Sequence, residues 1–302
     1  MGSRFFSQKQ LIGLTGEKLI LPFYHAVSDN PAAHLVHLYE ARSVVDFEND
    51  LDYLLQHFKP ISLQELIVLK KNGEGLKEPC FHITFDDGLR EVYDVVVPIL
   101  IKRKIPATFF INTDFIDNKK LFYRFKASVL TEQIAANGML DLNCNEENDI
   151  DGFAKTIGYS FEDYLEKEKP YLTTSQIHEL IKKGFTIGAH SKNHPMYKLI
   201  TEKEQIEQTL GSLEVLKQHF HLDYSVFSFP FTDDGVGQLF FKTIQSKVDL
   251  TFGSAGLKKD TVEFNLQRIP MEHSASAEEL IKIQYFYCLL KKLVGKNKVV
   301  RL

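Results

Sequence analysis

The sequence predicts an α/β barrel in which six or seven parallel strands alternate with helices around one core. Short apolar runs alternate with helical patterns, and the joints between them are short, as in β-α-β units. Polar residues directly follow several different strands, and the carboxyl ends of barrel strands converge on one mouth. This last observation favours a barrel over an open doubly wound sheet. We expect one domain over residues 1–302, with an insertion at about residues 114–170.

The first half of the chain shows the alternation clearly. Its predicted elements are a strand at 19–23, a helix at 47–58, a helix opened by the capping box of Ser62 and Glu65, a strand at 80–85, a helix at 91–104 that includes Pro98, and a strand at 107–111. This order is typical of a parallel sheet with crossover helices.

The pattern loosens between residues 114 and 170. Residues 121–137 have helical spacing, whereas residues 143–151 are polar and acidic and are predicted to form a loop. We interpret the segment as an insertion on the barrel rim.

Regular alternation returns after residue 170. Its predicted elements are a helix capped by Thr173 and Gln176, a strand at 186–189, a helix capped by Thr201 and Glu204, strands at 226–229 and 250–252 with a helix at 238–246 between them, and a last helix opened by Ser276 and Glu279.

Composition narrows the class of protein. The chain is 44% hydrophobic and 25% charged, as is ordinary for a globular protein, and its net charge of −4 argues against a nucleic-acid partner. Cys80, Cys144 and Cys288 are too few and too scattered for a disulfide framework, and we interpret them as free thiols. There is no Trp, so a sugar would stack on Tyr or Phe.

The two ends of the chain bear on its location. Because the first residues contain no long apolar run, we expect a cytoplasmic protein without a transmembrane segment. The last residues are basic through Lys291, Lys292, Lys296, Lys298 and Arg301. They allow a weak peripheral contact with an anionic membrane, although a solvated helix end is the simpler interpretation.

The first polar cluster is Asp86-Asp87-Gly88, which follows the apolar strand at 80–85. Gly88 permits a sharp turn that keeps both carboxylates at the strand end. One carboxylate can bind a cation while the other stays free as a base. The alternative is a turn that caps the next helix.

The second polar cluster is His190 and His194, spaced four residues apart just past the strand at 186–189. On a helix or a tight turn this spacing puts both imidazoles on one side. With Asp87 they form a His₂-carboxylate set that suits catalytic Zn²⁺, and Co²⁺ or Ni²⁺ as alternatives. The simpler interpretation is a pair of surface histidines in a loop.

Together the two clusters resemble a known family. The chain carries Thr84-Phe85-Asp86-Asp87-Gly88, followed by His190-Ser191-x-x-His194-Pro195. In these motifs, and over roughly residues 19–268, it resembles the polysaccharide deacetylase (NodB-homology) family, the carbohydrate esterase family 4 type. The resemblance implies a distorted (β/α)₇ barrel and a metal-dependent hydrolase that removes acetyl groups from an N-acetylated sugar or polysaccharide. It also implies that Asp86 is the general base and that Asp87, His190 and His194 bind the metal.

The general acid has two candidates. His25 follows the first strand, and one branch of the family resembles this chain in carrying Tyr-His there. Many members place the acid on a late histidine, and His273 is the candidate for it in this chain. We favour His25, because it follows a clear strand and should point into the mouth.

The chain departs from the family at its third motif. Ser228-Phe229-Pro230-Phe231-Thr232 stands where members commonly have Arg-x-Pro-Tyr-Gly, so the arginine that orients the base is missing there. Arg268, at the end of another predicted strand, is the expected replacement. Phe231 would offer an apolar wall and a backbone N–H for the oxyanion. Asp233-Asp234-Gly235 repeats the first triplet inside a loop, and we interpret it as a turn.

Three residues complete the predicted site. Phe231, Arg268 and Tyr123 are the expected substrate-binding residues, with Tyr123 on the insertion that overhangs the mouth. The alternatives to a glycan deacetylase are an amidase of the same superfamily that opens a small C–N substrate and a catalytically inactive glycan-binding relative. The complete metal set disfavours the first, and the retained Asp86 disfavours the second.

Overall fold

The computed structural model describes residues 5–135 and 147–301. Its strands are β1 Leu19–Ile20, β2 Pro22–Tyr24, β3 Lys59–Pro60, β4 Cys80–Phe81, β5 Ile83–Phe85, β6 Ala107–Ile111, β7 Thr186–Ala189, β8 Val226–Ser228, β9 Leu250–Gly253, β10 Lys259–Asp260, β11 Asn265–Gln267, β12 Ile269–Pro270 and β13 Lys298–Val299.

Helices separate most of these strands. The α-helices are α1 Gln8–Thr15, α2 Val44–His57, α3 Leu63–Lys71, α4 Val97–Arg103, α5 Tyr123–Ala135, α6 Glu147–Thr156, α7 Phe161–Glu168, α8 Thr174–Lys182, α9 Glu202–Phe220, α10 Gln238–Ile244 and α11 Ala277–Leu293. Within the described ranges, no helix is long and apolar enough to cross a membrane.

The main sheet is a barrel whose neighbouring strands are all parallel. Its strand order is β11-β9-β8-β7-β6-β5-β2-β12. β11 and β12 are separated only by Arg268, yet β11 pairs with β9 and β12 pairs with β2. One extended segment therefore joins both edges and closes a ring of seven strand positions. This confirms the predicted distorted (β/α)₇ barrel.

A smaller sheet extends the barrel at the amino ends of its strands. It has the order β1-β4-β3, and the chain passes from it into the barrel at Leu21 and at His82. The His82 ring contacts the carbonyl of Ile61 and the hydroxyl of Thr108, both at 2.8 Å, and burial lowers its pKa to about 4. His82 is thus a neutral structural histidine.

The predicted capping boxes are present. In each box the cap side chain accepts a hydrogen bond from the backbone N–H of the third helical residue, and the side chain of that residue accepts one from the backbone N–H of the cap. The caps are Ser62, Thr173 and Thr201. The predicted helix at 91–104 is not uniform: a π-helical turn at Val92–Val96 precedes α4. Pro98 lacks an N–H and cannot make a regular bond to the preceding turn.

The segment between β6 and β7 packs at the mouth of the barrel. Buried side chains of α5, α6 and α7, including Phe125, Ile150 and Phe161, share a hydrophobic cluster with Ala26 and Leu89, which follow β2 and β5. The predicted loop at 143–151 is wrong for residues 147–151, which lie in α6 because Ile150 is buried in that cluster. Residues 143–146, including Cys144, lie outside the described residues.

The basic C-terminal tail is only partly available to an outside partner. The guanidinium of Arg301 is held between the carboxylates of Asp233 and Asp260, and Lys292 bonds to the carbonyl of Thr15. The expected membrane contact by this tail therefore remains a prediction. Asp233 begins the predicted turn, and it is also a buried residue and one of the two acids that hold Arg301.

Candidate active site

The functional side chains come from strand ends at the carboxyl side of the barrel. The backbone of Asp86 bonds to the carbonyl of Tyr24, and that of His190 bonds to the carbonyl of Ile111, both at 2.9 Å, so the ladder continues to the site. Asp87 has a positive φ of 69°, and Gly88 follows at 66°. These angles turn the chain sharply and keep both carboxylates at the mouth. Neither carboxylate caps a helix, since the next helical segment has no side-chain cap.

Asp87, His190 and His194 converge on one point. Oδ1 of Asp87 lies 3.4 Å from Nε2 of His190 and 3.1 Å from Nε2 of His194. One ligand atom from each residue lies within 4.8 Å of the other two, and all three side chains are buried. These three atoms have no hydrogen-bond partner in the described protein. Buried polar atoms without partners are costly, so their convergence fits a divalent metal ion, which would satisfy all three.

His190 is oriented as a metal ligand. Its Nδ1 lies 2.9 Å from the carbonyl oxygen of Ser228, which can only accept, so Nδ1 carries the proton. This tautomer leaves the lone pair of Nε2 pointing at Asp87. A backbone carbonyl therefore selects the form that a metal requires.

His194 sits in an aromatic pocket. Its ring centroid lies 4.6 Å from that of Phe122, the residue directly before α5, and 4.6 Å from that of Phe231. Burial lowers the pKa of His194, against the opposing attraction of Asp87. The neutral imidazole that results is the form that binds metal.

Tyr39 holds the other oxygen of Asp87. Its hydroxyl donates a hydrogen bond of 2.6 Å to Oδ2, and its ring stacks on that of His25 at 4.4 Å. Burial, followed by the charge of Asp87, raises the pKa of Tyr39 well above its ordinary value, so the hydroxyl stays a donor. Burial raises the pKa of Asp87, but the nearby imidazoles outweigh it and hold that pKa well below the usual range. Asp87 is ionised, with one oxygen fixed and one free.

Asp86 is held by Arg268. The guanidinium donates to both carboxylate oxygens, at 2.8 and 2.7 Å, and also to the hydroxyls of Thr84 and Ser228. Burial raises the pKa of Asp86, but the charge of Arg268 outweighs it and lowers the pKa. Asp86 is not among the three converging residues, and its Oδ2 lies 3.9 Å from Nε2 of His190. It is an ionised carboxylate beside the point where the three ligand atoms converge.

Arg268 itself is 1% exposed, and its guanidinium packs 4.3 Å from the ring of Phe23. This supports the orienting role that we expected for it. Direct contact with substrate would require the guanidinium to break its hydrogen bonds to Asp86, Thr84 and Ser228.

His25 pairs with Glu272 at the edge of the site. Its Nδ1 lies 2.5 Å from Oε2 of Glu272, and the other carboxylate oxygen accepts from the backbone N–H groups of His25 and Ala26. Burial opposes the charge on the ring, but Glu272 outweighs it and raises the pKa of His25 to about 9. The charges of Asp87 and Asp86 also raise the pKa of His25. His25 is thus protonated at neutral pH and close to both acids.

His273, the other candidate for the general acid, is exposed, whereas the converging groups are buried. Its Nδ1 accepts from the backbone of Ala275, and its carbonyl accepts from Arg42. The structure brings His25, and not His273, into the site.

The two remaining predicted residues lie at the mouth. Phe231, with a φ of 58°, contacts His194 and lies under the guanidinium of Arg124 at 5.4 Å. Tyr123 is half-buried beside Phe122 at 4.8 Å between ring centroids. Aromatic rings beside a catalytic centre are suited to stacking on a sugar.

Sequence reasoning missed Tyr39 and Glu272. Tyr39 lies in an irregular segment with no periodic pattern, and nothing local signals its bond to Asp87. Glu272 could have been found, because it follows the strand that ends at Pro270, where polar residues point into the mouth.

Comparison with protein families finds one match on this region. The model of the family described as "Polysaccharide deacetylase" matches residues 73–237. The matched residues include both polar clusters and more than half of the chain.

Among curated proteins, the chain is similar to the poly-β-1,6-N-acetyl-D-glucosamine N-deacetylase of Staphylococcus aureus strain MRSA252. The two are 30% identical over 139 residues, which cover 42% of this chain and 47% of the relative. The chain therefore spans about half the length of the curated relatives that it matches first.

Two solved structures share the fold. The deacetylase PplD of Streptococcus pyogenes, in complex with acetate, has a TM-score of 0.61 at 16% identity, covering 88% of this chain and 97% of PplD. IcaB of Ammonifex degensii also has a TM-score of 0.61, at 20% identity, covering 89% of this chain and 97% of IcaB. At these identities the likeness shows the barrel architecture alone.

Proposed function

The chain belongs to the polysaccharide deacetylase family, and from that premise we propose that it is a metal-dependent hydrolase that removes acetyl groups from an N-acetylated glycan. The observation that carries the proposal is the convergence of three buried ligand atoms beside an ionised carboxylate. Asp87, His190 and His194 supply the ligand atoms, and Asp86 is the carboxylate.

The three converging residues would hold the metal. A divalent ion bound there would polarise the acetyl carbonyl and lower the pKa of water towards about 7. A His₂-carboxylate set is best suited to Zn²⁺, with Co²⁺ or Ni²⁺ as alternatives. The hydrogen bonds from Tyr39 to Asp87 and from His190 to Ser228 would keep the ligand atoms in place.

Asp86 would act as the general base. Its low pKa keeps it ionised at neutral pH, and Arg268 fixes the plane of the carboxylate. The carboxylate would accept a proton from the attacking water, and Arg268 would hold it in position during the transfer. Because Arg268 occupies both oxygens, it limits how far the basicity of Asp86 can rise.

His25 would act as the general acid. It is protonated at neutral pH, because Glu272 raises its pKa to about 9. Nδ1 is engaged by Glu272, so Nε2 would give its proton to the amine that leaves the carbonyl carbon. Glu272 would orient the ring through its contact with Nδ1.

The backbone of Phe231 would stabilise the oxyanion. No described residue accepts a hydrogen bond from its N–H, and its positive φ places that residue at a tight turn beside His194. A fixed backbone donor near the developing negative charge lowers the barrier of acyl transfer. The aromatic side chains of Phe231 and Tyr123 would pack against the sugar.

The relatives direct the choice of substrate. The Staphylococcus aureus relative is named for a polymer of β-1,6-linked N-acetyl-D-glucosamine, so we propose oligomers of this sugar as the first substrates. Acetate release from these oligomers, from chitin oligomers and from O-acetylated xylan tests the proposal. We expect release from an N-acetylated glycan, with Asp86→Asn inactive under the same conditions.

A matched control separates chemistry from folding. Asp114→Asn removes a carboxylate that follows β6 but pairs with Lys120 outside the converging set, and it should retain activity. Acetate release by the Asp86→Asn protein at the rate of the unaltered chain would contradict the assigned base. Absence of release from every N-acetylated glycan, with metal bound, would favour the inactive glycan-binding alternative.

A further inference from the structure

Helix α11 presents apolar side chains to solvent as well as to the core. Its inner face buries Ala277, Ile281, Tyr285 and Cys288. On the opposite face lie Ile283, Tyr287 and Leu290, and Val294 follows directly after the end of the helix. These four residues are 50%, 54%, 45% and 66% exposed, and we call them the outer stripe. A helix at the surface of a globular protein normally carries polar residues on its outer face. An apolar outer face indicates a contact with another molecule.

The spacing of the outer stripe is that of a helix–helix seam. Successive members are separated by four, three and four residues, which is the heptad pattern of paired helices. The three helical members therefore lie along one narrow line of α11, and Val294 extends this line just past the end of the helix. A second helix, packed along this line, would cover them.

The stripe is also complementary to itself. Its spacing reads the same in both directions, so an antiparallel copy places Ile283 opposite Val294 and Tyr287 opposite Leu290 of the second copy. A two-fold axis between positions 288 and 289 generates both pairs at once. We propose that two copies of this chain pair through α11 in this antiparallel register.

The residues that flank the stripe agree with this register. Phe286 and Leu293 lie along one side, and Gln284 and Lys291 lie along the other. In an antiparallel pair each side meets the same side of its partner. Phe286 therefore meets Leu293 of the second copy, and Gln284 meets Lys291 of the second copy, so no like charges oppose each other. Phe6, whose ring is 6.3 Å from that of Phe286, extends the apolar side.

The charges favour a second copy over an anionic membrane. Lys282 pairs with Glu278 at 2.6 Å, and Lys292 lies 3.4 Å from Glu17. Arg301 pairs with the carboxylates of Asp233 and Asp260. Two of the five cations of the C-terminal tail, Lys292 and Arg301, are thus neutralised within the chain, which weakens attraction to acidic lipid.

Sedimentation equilibrium across the micromolar range tests the pairing. The unaltered chain should have twice its 34.7 kDa mass, and Leu290→Lys should lower the mass twofold. Val68→Lys, on the outer face of α3 at a position that is 55% exposed, is the matched control and should leave the doubled mass unchanged. Leu290 is exposed and is not a site residue, so its variant should fold and retain deacetylation.

Two further variants test the register. Ile283→Glu and Val294→Lys should each give the single-chain mass, because each puts an unpaired charge in the seam. Mixing them should restore the doubled mass, since one end then pairs Glu with Lys and the other keeps the original residues. Failure of the mixture to associate, where each variant alone is monomeric, would overturn the antiparallel register.

Other outcomes would overturn the proposal itself. A single-chain mass for the unaltered protein at every concentration excludes pairing. If that monomer bound phosphatidylglycerol vesicles, and Leu290→Lys abolished the binding, the occupant would be a lipid surface. A doubled mass that survives all three stripe variants would place the contact elsewhere on the molecule.

Discussion

Arg268 binds both carboxylate oxygens of Asp86, at 2.8 and 2.7 Å, from the point where the barrel closes. It separates β11, which pairs with β9, from β12, which pairs with β2. The residue that orients the proposed base is therefore fixed by the backbone on both sides. This geometry supports Arg268 as the replacement for the missing arginine of the third motif, and Ser228 accepts a hydrogen bond from it.

Replacing Arg268 by Ala should damage both stability and activity. Removing one partner of a buried ion pair leaves an uncompensated charge and costs about 3–5 kcal/mol of the free energy of unfolding. Loss of an oriented base should lower kcat on the order of 10²–10⁴-fold. Chemical denaturation and acetate release measure the two effects.

Arg268→Lys keeps the charge but not the two parallel bonds, so it should recover part of the stability and little of the activity. Equal kcat for Arg268→Lys and the unaltered chain would contradict the orienting role.

The two adjacent aspartates should differ when each is replaced. Asp86→Asn should abolish turnover and leave metal binding intact, because Asp86 is not among the converging ligands. Asp87→Ala should lose both, because it removes one of three ligands. Acetate release and metal content of each variant measure this. Turnover by either variant at the unaltered rate would contradict the assignment.

Tyr39→Phe should weaken metal binding while keeping the ring that stacks on His25. The lost hydrogen bond frees Oδ2 of Asp87, and loss of such an outer partner typically costs about 10–100-fold in metal affinity. Competition with a zinc-binding dye measures the affinity directly. Tyr53→Phe, which removes a hydroxyl bonded to Gln8, is the control and should leave the affinity unchanged.

Glu272→Gln should move the pH dependence of the reaction. The acid form of His25 is the active one, so activity falls as pH rises through its pKa of about 9. Without the Glu272 charge, the pKa falls towards the ordinary 6.5, and the basic limb of the kcat/KM profile shifts to lower pH. An unchanged basic limb would contradict the role of His25.

The same pair should affect stability with a defined sign. The folded-state pKa of His25 is raised, so its contribution to stability is complete below about pH 6.5 and is lost as pH rises through about 9. Thermal unfolding should show a larger loss for Glu272→Gln at acidic than at strongly basic pH. The difference between the two proteins should shrink above the folded pKa of His25, because only the contribution of the charged ring is lost there.

Local pattern was enough to predict much of the fold and the centre of the site. Capping boxes such as Thr173 with Gln176 fix helix starts, and the polar residues after strands identify Asp86 and His190. These signals lie within a few residues of the features that they predict.

Long-range pairing could not be read from local pattern. Tyr39 reaches Asp87 from an irregular segment, and Arg301 reaches Asp233 from the far end of the chain. The short helix α7 was not predicted, because its burial depends on a cluster assembled from distant segments such as that of Leu89. Such contacts form only once the barrel has brought its strand ends together.

The most direct test of the central claim is acetate release by chelator-stripped protein as Zn²⁺ is added back. If Asp87, His190 and His194 hold the catalytic metal, activity should be lost on stripping and return in proportion to added zinc. The recovered activity should saturate at about one ion per chain, as a single three-residue site requires. Full activity in the stripped protein, or its absence at every zinc level, would contradict a metal-dependent deacetylase.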